Sequence, residues 1–125
     1  MALPPRLEKE LEELRREHVL DIGEDADFVT VVFKNFPLGN GFDMSHSDIL
    51  LRVPKSYPDA GPDMFWTDPN LHLAGGQIPQ SAEAIENHLN KPWRRFSWHR
   101  QAWNPSADNM HGHMEFIRKR LREKK

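Results

Sequence analysis

Cysteine is absent from the 125 residues. The chain therefore has no disulfide, no thiolate metal site and no thiol nucleophile, so an acyl group carried by this protein must sit on oxygen or nitrogen. Long apolar runs are absent too, and no secretory signal is evident. A soluble, cytoplasmic protein with no membrane partner is expected. Nor does one sign of charge dominate. Lys and Arg number 17 against 19 Asp and Glu, a formal net charge of −2. That balance gives no electrostatic reason to expect nucleic acid as a partner.

What is present suits one compact domain over residues 1–125, the usual size for a single core. Hydrophobic residues make up 38% of the chain, and four Trp and seven Phe supply large apolar area. From Pro4 to about Glu17 the spacing predicts a helix. Pro4 and Pro5 suit its start, and Leu7, Leu11 and Leu14 fall at i, i+4 and i+7 to form one apolar stripe. Strand signals follow in Val19–Ile22, Phe28–Phe33, Asp48–Pro54 and Asp63–Thr67, dense in β-branched and aromatic residues and separated by turn residues such as Pro37-Leu38-Gly39-Asn40-Gly41. Asp68 to Trp93 reads as irregular, apart from a short helix expected over Ala82–Leu89 with Ser81 as its cap. A last helix is expected near Ala107–Glu123, with Met110, Met114, Ile117 and Leu121 as its buried stripe and a basic final turn. Strands grouped between helices argue for an α+β fold, an antiparallel meander of about four strands flanked by an N-terminal and a C-terminal helix.

The most specific segment is Tyr57-Pro58-Asp59-Ala60-Gly61-Pro62 followed by Met64-Phe65-Trp66, placed after a strand that ends at Pro54. Clustered prolines make a stiff loop because each fixes φ and removes an N–H. Trp103-Asn104-Pro105 precedes the last helix, and Asp68-Pro69-Asn70 lies between. This order resembles the ubiquitin-conjugating enzyme superfamily, with its Tyr-Pro loop, its Trp-x-Pro and its His-Pro-Asn, the last degenerate here with Asp for His. Within that superfamily the chain is most similar to the prokaryotic family E, through Tyr-Pro-Asp, Pro-Asp-Met-Phe-Trp and the Arg95-Phe96-Ser97-Trp98-His99 stretch. The resemblance spans about Leu7 to Leu121. It implies the ubiquitin-conjugating-enzyme fold, a ubiquitin-like protein and an activating enzyme as partners, and a docking face on the N-terminal helix, for which Leu7, Arg6 and Glu10, with Tyr57, are the candidates.

The superfamily places its nucleophilic cysteine between His-Pro-Asn and Trp-x-Pro, and that interval holds none here. Ser97 is the candidate replacement. Residues i and i+2 of an extended segment share a side, so His99 could take its proton. Arg94 and Arg95 are candidate stabilisers of an oxyanion. Ser97 also reads as a plain loop serine, or as a serine put in place of a cysteine. Asn70 and Asn90 are weaker candidates for oxyanion support. A zinc site would draw on His88, His99, His111 and His113. His111 and His113, two apart on a helix, point to different faces, so neither a metal nor a cofactor is expected. A recognition domain of the same fold that has lost catalysis is the rival to an acyl carrier.

Overall fold

The computed structural model describes residues 3–98 and 102–123. The elements run α1 (Pro5–Leu14), β1 (Leu20–Glu24), β2 (Phe28–Pro37), β3 (His46–Pro54), β4 (Phe65–Thr67), β5 (Ile85–His88), β6 (Lys91–Phe96) and α2 (Met110–Glu123). The strands form one antiparallel sheet in the order β1-β2-β3-β4-β6-β5. The expected α+β arrangement is met, with six strands among the described residues where about four are expected.

Strand alternation divides the sheet into two faces. Val29, Val31 and Phe33 of β2, Ile49, Leu51 and Val53 of β3, Phe65 and Phe96 join the leucine stripe of α1 and the Met110, Met114, Ile117 and Leu121 stripe of α2 in one core. The residues between them point the other way. Val32, Leu50, Trp66 and Trp93 form a smaller apolar cluster on the open face, opposite the one that packs α1 and α2, with Met64 packed at its margin. β2 breaks register between Phe33 and Phe36. Asn35 there has φ +53, a conformation asparagine tolerates, and its N–H donates to the Asp48 carboxylate at 2.8 Å.

Two expectations are corrected. The short helix over Ala82–Leu89 is absent, and Ile85–His88 is the edge strand β5, paired with Lys91–Phe96. Leu89 and Asn90 both have positive φ, +55 and +63, which builds a two-residue hairpin turn that a helix cannot contain. Ser81 caps no helix; it has φ +59, and its carbonyl accepts the Ser97 N–H at 3.0 Å. The last helix also starts later than Ala107. Residues 105–107 form a turn, with the Asn104 N–H on the Asp108 carboxylate at 2.7 Å, and the Asn109 side chain accepts the Gly112 N–H at 2.8 Å in the first helical turn.

Candidate functional site

β6 sends its neighbouring residues to opposite faces. Phe96 enters the helix-side core and Trp93 the open-face cluster. Arg94 therefore points with Phe96, and Arg95 with Trp93. Arg94 is buried and donates to the Ala82 carbonyl at 2.6 Å and the Pro69 carbonyl at 2.9 Å. It ties down the long connection between β4 and β5. Arg95 lies on the open face. Its Nε donates to Ser97 Oγ at 2.9 Å, and the same guanidinium donates through NH1 to Glu86 Oε2 at 2.7 Å.

Ser97 is half-buried one residue beyond β6, held by its backbone bond to Ser81. The structure thus brings Ser97 and Arg95 together and sends Arg94 elsewhere. His99 lies outside the described residues. Phe65 pairs with Phe96 and Thr67 with Arg94, so Ser97 sits at the Phe65 end of this strand pair and Asp68-Pro69-Asn70 at the other. The separation is about four strand positions, or ~13 Å. Asn70 instead donates its N–H to the Asp68 carboxylate at 2.8 Å, and Asn90 sits in the hairpin turn, farther away still.

Glu86 is the residue that sequence reasoning missed. Its carboxylate accepts from Trp66 Nε1 at 2.9 Å and from Arg95 at 2.7 Å, and lies 3.1 Å from His88 Nε2. Burial pushes the Glu86 carboxyl up, but the Trp66 indole N–H, His88 and the Arg95 guanidinium outweigh it and hold the group below the usual carboxylate value. Four residues, Ile85-Glu86-Asn87-His88, carry no periodicity that would reveal the strand, and a helix assignment over them conceals the side on which Glu86 lies.

Two clefts open near this face. One, of ≈ 230 Å³, is lined by residues including Lys34, Leu89 and Trp93. The other, of ≈ 270 Å³, is lined by residues including His46, Asp48 and Asp68. Ser97 lines neither. Among the described residues, no group of three His, Cys, Asp or Glu side chains is placed to hold a metal ion, and no helix is long and apolar enough to cross a membrane.

The residues expected on a docking face lie mostly inside. Leu7, Glu10 and Tyr57 are buried, and Arg6 is half-buried. Glu10 accepts from Arg6 Nε at 2.8 Å, from the Met110 N–H at 2.8 Å and from the Tyr57 hydroxyl. Burial, and then the Glu10 carboxylate beside it, push the Tyr57 phenol up, so it stays protonated as the donor. Arg6 also donates to the Pro105 and Asp108 carbonyls. This network fastens α1 to the Tyr-Pro loop and to the start of α2. The loop is held from its other side by Trp103, whose Nε1 donates to the Pro58 carbonyl at 2.7 Å and whose ring lies 5.7 Å from that of Tyr57. The exposed side of α1 includes Glu8, Lys9 and Glu12, and Arg15 and Arg16 continue it in the turn beyond the helix end.

The model of one protein family, described as Prokaryotic E2 family E, matches residues 3–124. No curated protein and no solved structure matches the chain.

Proposed function

The chain belongs to the prokaryotic E2 family E, and from that premise we propose that it receives the C-terminus of a ubiquitin-like protein from an activating enzyme and holds it on Ser97. A carrier part in ubiquitin-like conjugation follows from the family; the serine chemistry is the finer reading. In the first step Ser97 Oγ attacks the thioester carbonyl of the activating enzyme's adduct. A C–O bond forms, the C–S bond breaks, the thiolate leaves, and the hydroxyl proton passes to His99 or water. In the second step an amine of the target attacks the ester carbonyl. The C–O bond breaks, a C–N bond forms, and the serine oxygen regains a proton. Passage from thioester to oxyester runs downhill. The second step is intrinsically slower and depends on transition-state stabilisation.

The observation that carries this reading is the 2.9 Å hydrogen bond from Arg95 Nε to Ser97 Oγ. A guanidinium there stabilises the negative charge that develops on oxygen as the proton leaves, and lies within reach of the oxyanion of a tetrahedral intermediate. Arg94 assists by fixing the adjoining loop. The activating enzyme meets the exposed side of α1, with Arg6 at its margin, while Leu7, Glu10 and Tyr57 support that helix from beneath.

A second reading, a recognition domain without covalent chemistry, is favoured by the absence of Ser97 from both open-face clefts and by the distance to Asn70. Incubation with the activating enzyme, ATP and the ubiquitin-like protein separates the two. The carrier gives an adduct that survives thiol reductant, yields to mild base and is missing from Ser97→Ala. No adduct under these conditions leaves the recognition domain.

A further inference from the structure

We infer that Glu86 is a positioning residue for Ser97: clamped by the Trp66 indole, its carboxylate holds Arg95 so that Nε meets the serine hydroxyl. This rests on the reading of Ser97 as an acyl acceptor. The geometry runs through three strands. Trp66 on β4 is almost fully buried, so its indole N–H is a fixed donor. Glu86 on β5 takes that donor on Oε1 and the Arg95 NH1 on Oε2. Arg95 on β6 then presents Nε to Ser97 Oγ.

A guanidinium is a planar fork, so fixing one edge sets the direction of the other. An arginine without such an anchor spreads over many rotamers and rarely offers Nε to one oxygen. Glu86 thereby converts a flexible cation into an oriented one. His88, 3.1 Å from Glu86 Oε1, crowds the carboxylate from its own strand and leaves Oε2 to Arg95. The Glu86 and Arg95 side chains keep 33% and 34% of their accessible surface. A pair so exposed contributes little to folding, which separates a positioning role from a structural one.

The test uses the full chain and phenylmethanesulfonyl fluoride. Ser97 Oγ forms the O–S bond, fluoride leaves, and the hydroxyl proton goes to water. The label is read by mass spectrometry on the peptide containing Ser97, with Ser97→Ala as the blank. Glu86→Gln keeps an acceptor for Trp66 but removes the charge, and Glu86→Asp keeps the charge. The expected result is that Glu86→Gln slows Ser97 labelling about tenfold, as expected for loss of one charge-assisted contact, and that Glu86→Asp recovers part of the loss. The Arg95 Nε–H resonance should be sharp in the wild type, displaced in Ser97→Ala and broadened in Glu86→Gln. An unchanged labelling rate and an unchanged Arg95 resonance in Glu86→Gln overturn the inference and leave the serine reading standing. No label on wild-type Ser97 removes the serine reading, and the inference falls with it.

Discussion

Two glutamates in this molecule each gather three polar partners, and their surroundings give them different work. Glu10, among the helices, collects Arg6, Tyr57 and the first N–H of α2, and its side chain keeps 9% of its accessible surface. Glu86, on the open face, collects Trp66, Arg95 and His88 and keeps 33%. Water cannot replace a donor lost at the first site and can at the second. A buried polar cluster is costly to leave half-made, whereas an exposed one is worth little to stability and is free to serve a neighbouring side chain. The difference teaches that the count of contacts does not rank these two residues; access to solvent does.

The comparison breaks first at Glu10. Glu10→Ala strands the Tyr57 hydroxyl and the Met110 N–H in the interior and should cost about 3 kcal/mol, read as a lower urea midpoint with an unchanged m-value. The corner beside it comes next. A Cβ placed on Gly61 would lie 2.2 Å from the Trp103 ring, inside any real contact distance. Gly61→Ala must therefore displace that indole or the loop, at about 1–3 kcal/mol, and should quench or shift Trp103 fluorescence. Tyr57→Phe removes one donor from Glu10 but keeps the ring packed against Trp103, and about 1–2 kcal/mol is expected in the same titration. A Glu10→Ala cost below that of Tyr57→Phe would show that the glutamate does not organise this corner.

How much of this could be read from the sequence follows from the range of each interaction. The α1 stripe of Leu7, Leu11 and Leu14 and the α2 stripe from Met110 to Leu121 are local periodicities, and both were legible. So were β2 and β3, whose β-branched runs are dense. β5 was hidden because its turn is Leu89-Asn90, which lacks the glycine that normally signals a two-residue hairpin, and because four residues are too few to show a period. Losing β5 meant losing β6, and with it the alternation that separates Arg94 from Arg95. The polar networks were illegible for another reason. Glu10 reaches residues 47 and 100 positions away, and Glu86 reaches back 20 positions to Trp66. No local spacing encodes such pairs. Family likeness marks Leu7, Glu10 and Tyr57 as candidate partner contacts, whereas the structure buries all three, where they hold α1 against the Tyr-Pro loop and the start of α2.

The smallest effect sharpens the comparison from the open side. Glu86→Gln should cost under about 1 kcal/mol at pH 7, since Trp66 keeps an acceptor and Arg95 returns to water. Its pH dependence is diagnostic. The folded Glu86 carboxyl lies below its ordinary value of 4.5. The unfolded chain therefore binds a proton first as pH falls, and the stability due to the charged form is present above pH 4.5 and lost progressively below it. Wild type and Glu86→Gln should thus differ above pH 4.5 and converge as the medium is taken toward pH 3, with Arg95 as the charged partner that loses its anion. Urea titrations at pH 7, 5, 4 and 3 read this directly. A gap that stays constant across that range would mean that the carboxylate's charge does not matter in the folded state, and that shape alone keeps Arg95 against Ser97.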